Sequence, residues 1–143
     1  MAGVVLVGVD GSDTAFKAAT RAAELASGLG TELVVLSAHV QDNTEIVKIG
    51  SDTYILDDAE RALSLAGRVA EQLRADHSGL SIRPAARRGK PQDALVEEAK
   101  SSNAQLLVVG NVGMKGLGRV LGSVASSVVH GAPCDVLVVR TAS

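Results

Sequence analysis

The residues best suited to chemistry lie in a glycine-rich stretch near the end of the sequence, from Val108 to Val129. Its glycines are Gly110, Gly113, Gly116, Gly118 and Gly122. They follow an apolar run typical of a strand, and a helical pattern begins near Ser123. Glycines let the backbone approach a ligand closely, and the free N–H groups at a helix start favour an anion such as phosphate. Because Lys115 and Arg119 add positive charge, the pattern predicts a nucleotide phosphate site.

The same glycines could instead serve only to turn the chain between a strand and a helix. Two familiar phosphate motifs are absent. A P-loop ends in Gly-Lys-Ser/Thr, whereas the only Gly-Lys pair, at 89–90, is followed by Pro91. The dinucleotide fingerprint G-x-G-x-x-G also fails, because Gly116, Gly118 and Gly122 are spaced one residue too widely. A phosphate site in this stretch must therefore be of another kind.

Two further positions could contribute to the same site. Asp10 follows the first apolar run, where a carboxylate could accept hydrogen bonds from ribose, help to hold a metal, or only stabilise a turn. Ser123 could donate its hydroxyl and N–H to a phosphate, and it would also suit a helix N-cap.

The histidines lack the spacing of a metal pair, and Cys134 resembles a small apolar residue entering a strand. Nothing nominates a catalytic triad.

Composition narrows the function classes. The chain of 143 residues carries a formal net charge of −2, which favours neither nucleic acid nor an anionic membrane as a partner. Its apolar runs are too short to span a bilayer, and its first residues lack a signal-peptide pattern. With a single cysteine, these features predict a cytoplasmic protein. Since only Phe16 and Tyr54 are aromatic, the core must consist of Val, Leu, Ile and Ala.

Strand-like and helix-like patterns alternate along the chain. The predicted strands cover 4–9, 32–40, 80–88, 105–109 and 135–140. We predict a mobile loop over Gln41 to Ser51 and then a long helix from Asp52 or Tyr54 to Asp76. The alternation predicts one domain over 1–143, an open five-stranded parallel sheet with helices on both faces, Rossmann-like. If the first and fourth strands are neighbours, Asp10 and the glycine-rich stretch face one crevice.

These residues also carry a resemblance to a known family. VGVDGS, and GNVG followed by LGSVASSVVHGAPCDVLVVR, resemble the universal stress protein family, and the resemblance covers the whole chain. The family's nucleotide-binding branch carries Gly-x2-Gly-x9-Gly-Ser/Thr. Here Gly110, Gly113 and the pair 122–123 match this motif with a gap of eight residues instead of nine. The resemblance implies the strand order 3-2-1-4-5, in which the first and fourth strands are neighbours.

By resemblance, the chain is expected to bind ATP, with Mg²⁺ accompanying the triphosphate. The residues that match the family's ATP contacts are Gly8, Val9, Asp10, Ala38, Gly110, Gly113, Gly122, Ser123 and Val124. Within this set, Asp10 is expected to face the ribose and Ala38 to lie beside the adenine. We add Gly116 as a glycine of the same stretch, and Lys115 and Arg119 on charge alone.

The resemblance also implies a signalling or regulatory module of the stress response that acts through a protein partner. It implies a homodimer formed through the last strand, VLVVR, which could also be an ordinary buried strand. We expect slow ATP hydrolysis at most, because the sequence arranges no catalytic base. VVGNVG resembles an actinobacterial subgroup in which some members bind cyclic AMP, and this is the first alternative. An α/β hydrolase using Ser123 or Asp10, and an interaction protein without a ligand, are the others.

Overall fold

The computed structural model describes residues 3–40, 44–111 and 121–141, and for 44–49 and 52–57 it describes the backbone alone. The strands are β1 (Val4–Gly8), β2 (Glu32–His39), β3 (Thr44–Ile49), β4 (Asp52–Asp57), β5 (Ile82–Arg88), β6 (Leu106–Gly110) and β7 (Asp135–Val139). The helices are α1 (Asp13–Leu29), α2 (Asp58–Asp76), α3 (Pro91–Ser101) and α4 (Ser123–Gly131). Apart from β3 and β4, strands and helices alternate as predicted.

The main sheet is parallel and has the strand order β5-β2-β1-β6-β7. Numbering only these strands along the chain gives 3-2-1-4-5, so the predicted fold class and strand order are confirmed. From β1 the chain first builds the sheet outward through β2 and β5, and then builds the other half through β6 and β7. The order therefore reverses between β1 and β6. In sheets of this kind, ligands bind beyond the carboxyl ends of the strands at that point.

Apolar clusters cover both faces of the main sheet, because alternate residues of its buried strands point to opposite faces. On one face, Val5, Val7 and Val35 pack against α1 and α2. The buried residues of α1 are all alanines, so this helix can approach the sheet closely. On the other face, Leu6 and Leu107 pack against α3 and α4. The sheet is thus buried on both faces, and the ends of its strands position the loops that follow them.

The segment between β2 and α2 corrects the prediction. A loop over Gln41–Ser51 and a helix from Asp52 or Tyr54 are wrong for the described residues, because β3 and β4 form an antiparallel hairpin. The sequences TEIVKI and DTYILD are rich in β-branched residues, which favour strands, and Gly50 takes a positive φ of 63° in the turn between them. The part of that prediction over 41–43 lies outside the described residues.

Local sequence signals set the ends of the helices around the main sheet. Ser12 caps α1 through its side chain, and Gly30 ends that helix in the left-handed conformation at φ 69°. Pro91 begins α3, where its missing N–H and fixed φ are compatible with a first turn. None of the helices in the described parts of the chain has the length and the apolar character that a membrane span requires.

Candidate functional site

A cavity of about 210 Å³ lies at the carboxyl ends of β1, β2 and β6, where the strand order reverses. The first residues of α1, α3 and α4 also line it. The lining consists of Gly8, Val9, Asp10, Ser12, Thr14, Ala15, Leu36, Ala38, Pro91, Leu95, Val109, Gly110, Gly122, Ser123, Val124 and Ala125. The crevice expected between the first and fourth strands of the parallel sheet is therefore present.

Many of the predicted site residues meet in this cavity. Those that line it are Gly8, Val9, Asp10, Ala38, Gly110, Gly122, Ser123 and Val124. The remaining predicted positions, Gly113, Lys115, Gly116 and Arg119, lie outside the described residues. The structure thus brings together segments far apart in sequence: the ends of β1, β2 and β6 and the start of α4.

Asp10 occupies the turn that joins β1 to α1. Its Oδ1 accepts hydrogen bonds from the Ser12 backbone N–H at 2.9 Å and from the Ser12 hydroxyl at 2.5 Å. Ser12 Oγ in turn accepts from the Ala15 N–H at 3.2 Å and caps α1. The turn role that the sequence allowed for Asp10 is therefore real. Both bonds use Oδ1, and Asp10 is an exposed residue of the cavity lining, so Oδ2 is the atom suited to a ligand.

The N-terminus of α4 differs from that of α1, because its N-cap residue, Gly122, has no side chain with which to cap it. The first helical hydrogen bond runs from the Ser126 N–H to the Gly122 C=O at 2.9 Å. The N–H groups of residues 123–125 precede that bond and have no partner within the helix. All three residues line the cavity, where the helix dipole adds partial positive charge. This arrangement suits an anion such as phosphate.

Another part of the cavity wall is apolar. Leu36 and Ala38 come from β2, and Pro91 and Leu95 come from the first turns of α3. A Cβ atom built on Gly8 would lie 3.1 Å from both methyl carbons of Leu95, so the absence of a side chain allows β1 and α3 to approach this closely. Apolar walls of this kind suit a flat organic ring, while polar groups elsewhere in the cavity fix its orientation.

Sequence reasoning missed part of the lining: Ser12, Thr14, Ala15, Leu36, Pro91, Leu95, Val109 and Ala125. Most of these residues are small or apolar and carry no chemical signal. Pro91 could have been found, because it marks a helix start directly after a predicted strand, and the carboxyl ends of parallel strands share one edge of the sheet. The others needed the tertiary structure, which alone shows which side chains turn toward the crevice.

Charged and nucleophilic groups are sparse in the cavity. Asp10 is the only charged side chain, and no histidine is present, among the described residues that line it. In the described parts of the chain, no group of three or more His, Cys, Asp and Glu residues could hold a metal ion. Burial, and secondarily the charge of Asp135, raise the pKa of the Cys134 thiol, which disfavours the reactive thiolate. Cys134 also lies outside the lining and packs with apolar residues.

Comparisons with known proteins agree with this architecture. A sequence profile described as the Universal stress protein family matches residues 1–140. Universal stress protein Rv1636 of Mycobacterium tuberculosis (strain ATCC 25618 / H37Rv) is 38% identical over 146 residues, which cover 96% of this chain and 95% of that protein. The match therefore extends over nearly the whole of both proteins.

Solved structures give the same result at the level of the fold. The crystal structure of a universal stress protein in complex with cAMP aligns with a TM-score of 0.75 at 31% identity, over 98% of both chains. Universal stress protein UspA from Lactobacillus plantarum aligns with a TM-score of 0.72 at 29% identity, over 96% of this chain and 97% of that one. Profile, sequence and structure agree, and the chain belongs to the universal stress protein family.

Proposed function

We propose that this protein is a single universal stress protein domain that binds an adenine nucleotide in the cavity beside β1 and β6, with ATP as its ligand. The observation that carries the proposal is the N-terminus of α4. There Gly122 supplies no capping side chain, and residues 123–125, whose N–H groups have no partner within the helix, line the same cavity as Asp10. In the proposed complex these amides bind phosphate, Asp10 accepts hydrogen bonds from ribose, and Ala38 lies beside the adenine.

Cyclic AMP is the second candidate ligand. A universal stress protein that was crystallised with cAMP aligns with this chain over 98% of its length at 31% identity. In addition, eight residues separate Gly113 from Gly122, where the family's ATP motif has nine. A single cyclic phosphate needs fewer donors than a triphosphate, so the smaller ligand would also tolerate the shorter segment.

Mg²⁺ would accompany a bound triphosphate. Asp10 is the only carboxylate among the described lining residues, and Ser12 already engages one of its oxygens. The ion would therefore take most of its oxygen ligands from phosphate and water, as Mg²⁺ commonly does. Since the described lining offers no histidine or second carboxylate to activate water, we infer slow hydrolysis at most. The protein would then act as a stress-response regulatory module through a protein partner.

The experiment that tests this function is identification of the ligand. Nucleotide released from freshly purified protein is analysed by mass spectrometry, and isothermal titration calorimetry then measures the affinities for ATP, AMP and cAMP with and without Mg²⁺. We expect co-purified ATP and a higher affinity for ATP than for cAMP. A preference for cAMP would select the second candidate. Absence of binding by all three nucleotides would refute the proposal.

We also infer a homodimer that pairs through β7, an edge strand of the main sheet. The Val139 C=O accepts from the Asn111 N–H at 2.8 Å, so residue 139 directs its backbone groups toward β6. Backbone groups alternate in direction along a strand, which turns those of Val136 and Val138 toward the open edge. β7 contains no proline, and its one charged residue, Asp135, stands at its start. Among the described residues no strand pairs with this edge, which can therefore pair with a strand of a second copy.

The opposite edge strand, β5, is protected against pairing. The Ser81 C=O accepts from the Leu33 N–H at 2.9 Å, so the same alternation turns the backbone of Pro84 toward the open edge. Proline has no N–H to donate to a neighbouring strand, and exposed Arg83 and Arg88 add charge to β5. The contrast between the two edges supports β7 as the site of pairing.

A proline substitution tests this dimer. Val138→Pro removes an outward N–H and leaves the ladder between β7 and β6 intact, so we expect a folded monomer by analytical ultracentrifugation. Leu137→Pro is the matched control, because its N–H is directed toward β6 and its loss should lower the free energy of unfolding instead. A Val138→Pro variant that remains a dimer would place the contact elsewhere, and a monomeric parent protein would refute the dimer itself.

A further inference from the structure

Asn111, the residue directly after β6, joins three separate parts of the chain. Its backbone N–H donates to the Val139 C=O in β7 at 2.8 Å. Its side-chain Oδ1 accepts from the Thr141 N–H at 2.8 Å and from the Thr141 hydroxyl at 3.2 Å. Its backbone C=O accepts from the N–H of Gly122, the N-cap of α4, at 2.8 Å. One residue therefore connects β6, the segment after β7 and the start of α4.

The hydrogen bonds between the Asn111 side chain and Thr141 depend on the amide oxygen of Asn111. A backbone N–H can only donate, so the atom that faces the Thr141 N–H must be the oxygen of the Asn111 amide. Thr141 is only 4% exposed, and its own C=O accepts from Lys17 Nζ at 3.3 Å. Loss of the Asn111 side chain would leave both polar donors of a buried threonine without this acceptor, which is costly. The bond thus fixes the segment after β7 and the backbone of residue 111 together.

The backbone end of the connection reaches the candidate phosphate site. Gly122 has no side chain to hold the first turn of α4, so its N–H bond to Asn111 is the described contact that fixes this N-cap to the sheet. Residues 123–125, whose N–H groups have no partner within the helix, follow directly and line the cavity. We propose that Asn111 is a positioning residue, which uses its anchorage to Thr141 to hold the phosphate-facing amides of α4 in place.

This proposal rests on the proposed function for the identity of the ligand. It also predicts that the phosphate and the nucleoside are bound by separate parts of the site. The apolar wall around Ala38 and the turn at Asp10 are built from β1, β2 and α3, and the hydrogen bonds described for Asn111 do not include these elements. Disturbing Asn111 should therefore weaken binding of the phosphate group and leave binding of the nucleoside nearly unchanged.

A matched ligand pair tests this division. Calorimetry compares AMP with adenosine, which differ only by the phosphate, in the parent protein and in Asn111→Ala. We expect AMP affinity to fall about tenfold, which corresponds to the loss of one or two hydrogen bonds between the α4 amides and the phosphate. Adenosine affinity should change by less than about twofold. Gln105→Ala is the control, since it removes an exposed amide side chain directly before β6, at the end of that strand opposite Asn111. Equal losses for both ligands, or no loss for either, would overturn the proposal.

A measurement without ligand separates this inference from the proposed function. Hydrogen exchange of the Gly122 amide should be faster in Asn111→Ala than in the parent protein. It should be slow again in Asn111→Asp, which retains an acceptor for Thr141. If Asn111→Ala does not fold, Thr141→Val, which removes only the hydroxyl bond, should show the same exchange effect to a smaller degree. Unchanged Gly122 exchange in the folded variant would refute the positioning role, whereas failure of the parent protein to bind any of ATP, AMP and cAMP would refute the nucleotide function.

Discussion

Replacing Asp10 with Asn separates the two roles of this carboxylate, which are to stabilise the turn between β1 and α1 and to bind ribose. Asp10 Oδ1 accepts from the Ser12 N–H and hydroxyl, and an asparagine keeps an acceptor oxygen of the same shape at that position. The substitution removes the negative charge and replaces Oδ2 with a donor. We therefore expect the β1–α1 turn and the Ser12 cap to persist in Asp10→Asn. The change in the free energy of unfolding should stay below about 1 kcal/mol.

The expected loss in ligand binding is larger. A hydrogen bond between a ribose hydroxyl and a charged carboxylate contributes roughly 1.5–3 kcal/mol, which corresponds to about a tenfold to hundredfold change in affinity. Calorimetry should show this loss for adenosine in Asp10→Asn. 2′,3′-Dideoxyadenosine lacks the 2′- and 3′-hydroxyls of the ribose, so it should bind the parent protein and Asp10→Asn with nearly equal affinity. The coupling between the substitution and the ligand change isolates the ribose contact.

Two controls complete this design. Asp10→Ala also loses the turn bonds to Ser12, so its free energy of unfolding should fall by about a further 1 kcal/mol. Asp13→Ala removes an exposed carboxylate from the first turn of α1, outside the cavity lining, and should leave adenosine affinity unchanged. Adenosine affinity within twofold of the parent value in Asp10→Asn would assign Asp10 to the turn alone and refute its role in ribose recognition.

Other predictions concern the phosphate end, the core and the thiol. Gly122→Val should weaken AMP binding about tenfold by calorimetry. Its circular dichroism should stay unchanged, because the φ of −61° and ψ of 155° at this position are open to any residue. Unchanged AMP affinity would place the phosphate elsewhere. Leu107→Ala should lower the free energy of unfolding in urea by about 2–5 kcal/mol, since Leu107 is fully buried, whereas Leu63→Ala, at 47% exposure, should change it by less than about 0.5 kcal/mol. The raised pKa of Cys134 leaves less thiolate at pH 8, so iodoacetamide should modify the folded protein more slowly than the unfolded protein. Asp135→Asn removes a nearby negative charge and should speed the reaction of the folded protein. Equal rates for the folded and unfolded protein would contradict a raised thiol pKa.

The fold was largely readable from the sequence because its strands and helices have opposite patterns. The residues around Val5 and Val35 form continuous apolar runs rich in valine, while α1 repeats alanine at helical spacing. The strand order came from the family resemblance, because local patterns do not specify which strands are neighbours. The predicted loop over Gln41–Ser51 overlooks the first strand of the hairpin, because the β-branched residues of Thr44–Ile49, which favour a strand, alternate with charged and polar ones.

The candidate site was readable only in part. Glycines and Asp10 carry chemical signals at recognisable places, and the structure gathers the described ones around one cavity. The sequence left the turn role of Asp10 open, because an aspartate after a strand suits both a turn and a ligand. The connection from Asn111 to Thr141 spans 30 positions and depends on β6 and β7 being neighbours, so no local pattern could indicate it.

A crystal structure of the protein with AMP tests the proposed binding mode most directly. We predict phosphate oxygens within about 3 Å of backbone nitrogens among residues 123–125, and ribose hydroxyls within hydrogen-bond distance of Asp10. An AMP molecule whose phosphate lies away from the N-terminus of α4, or a cavity that stays empty at saturating AMP, would contradict it.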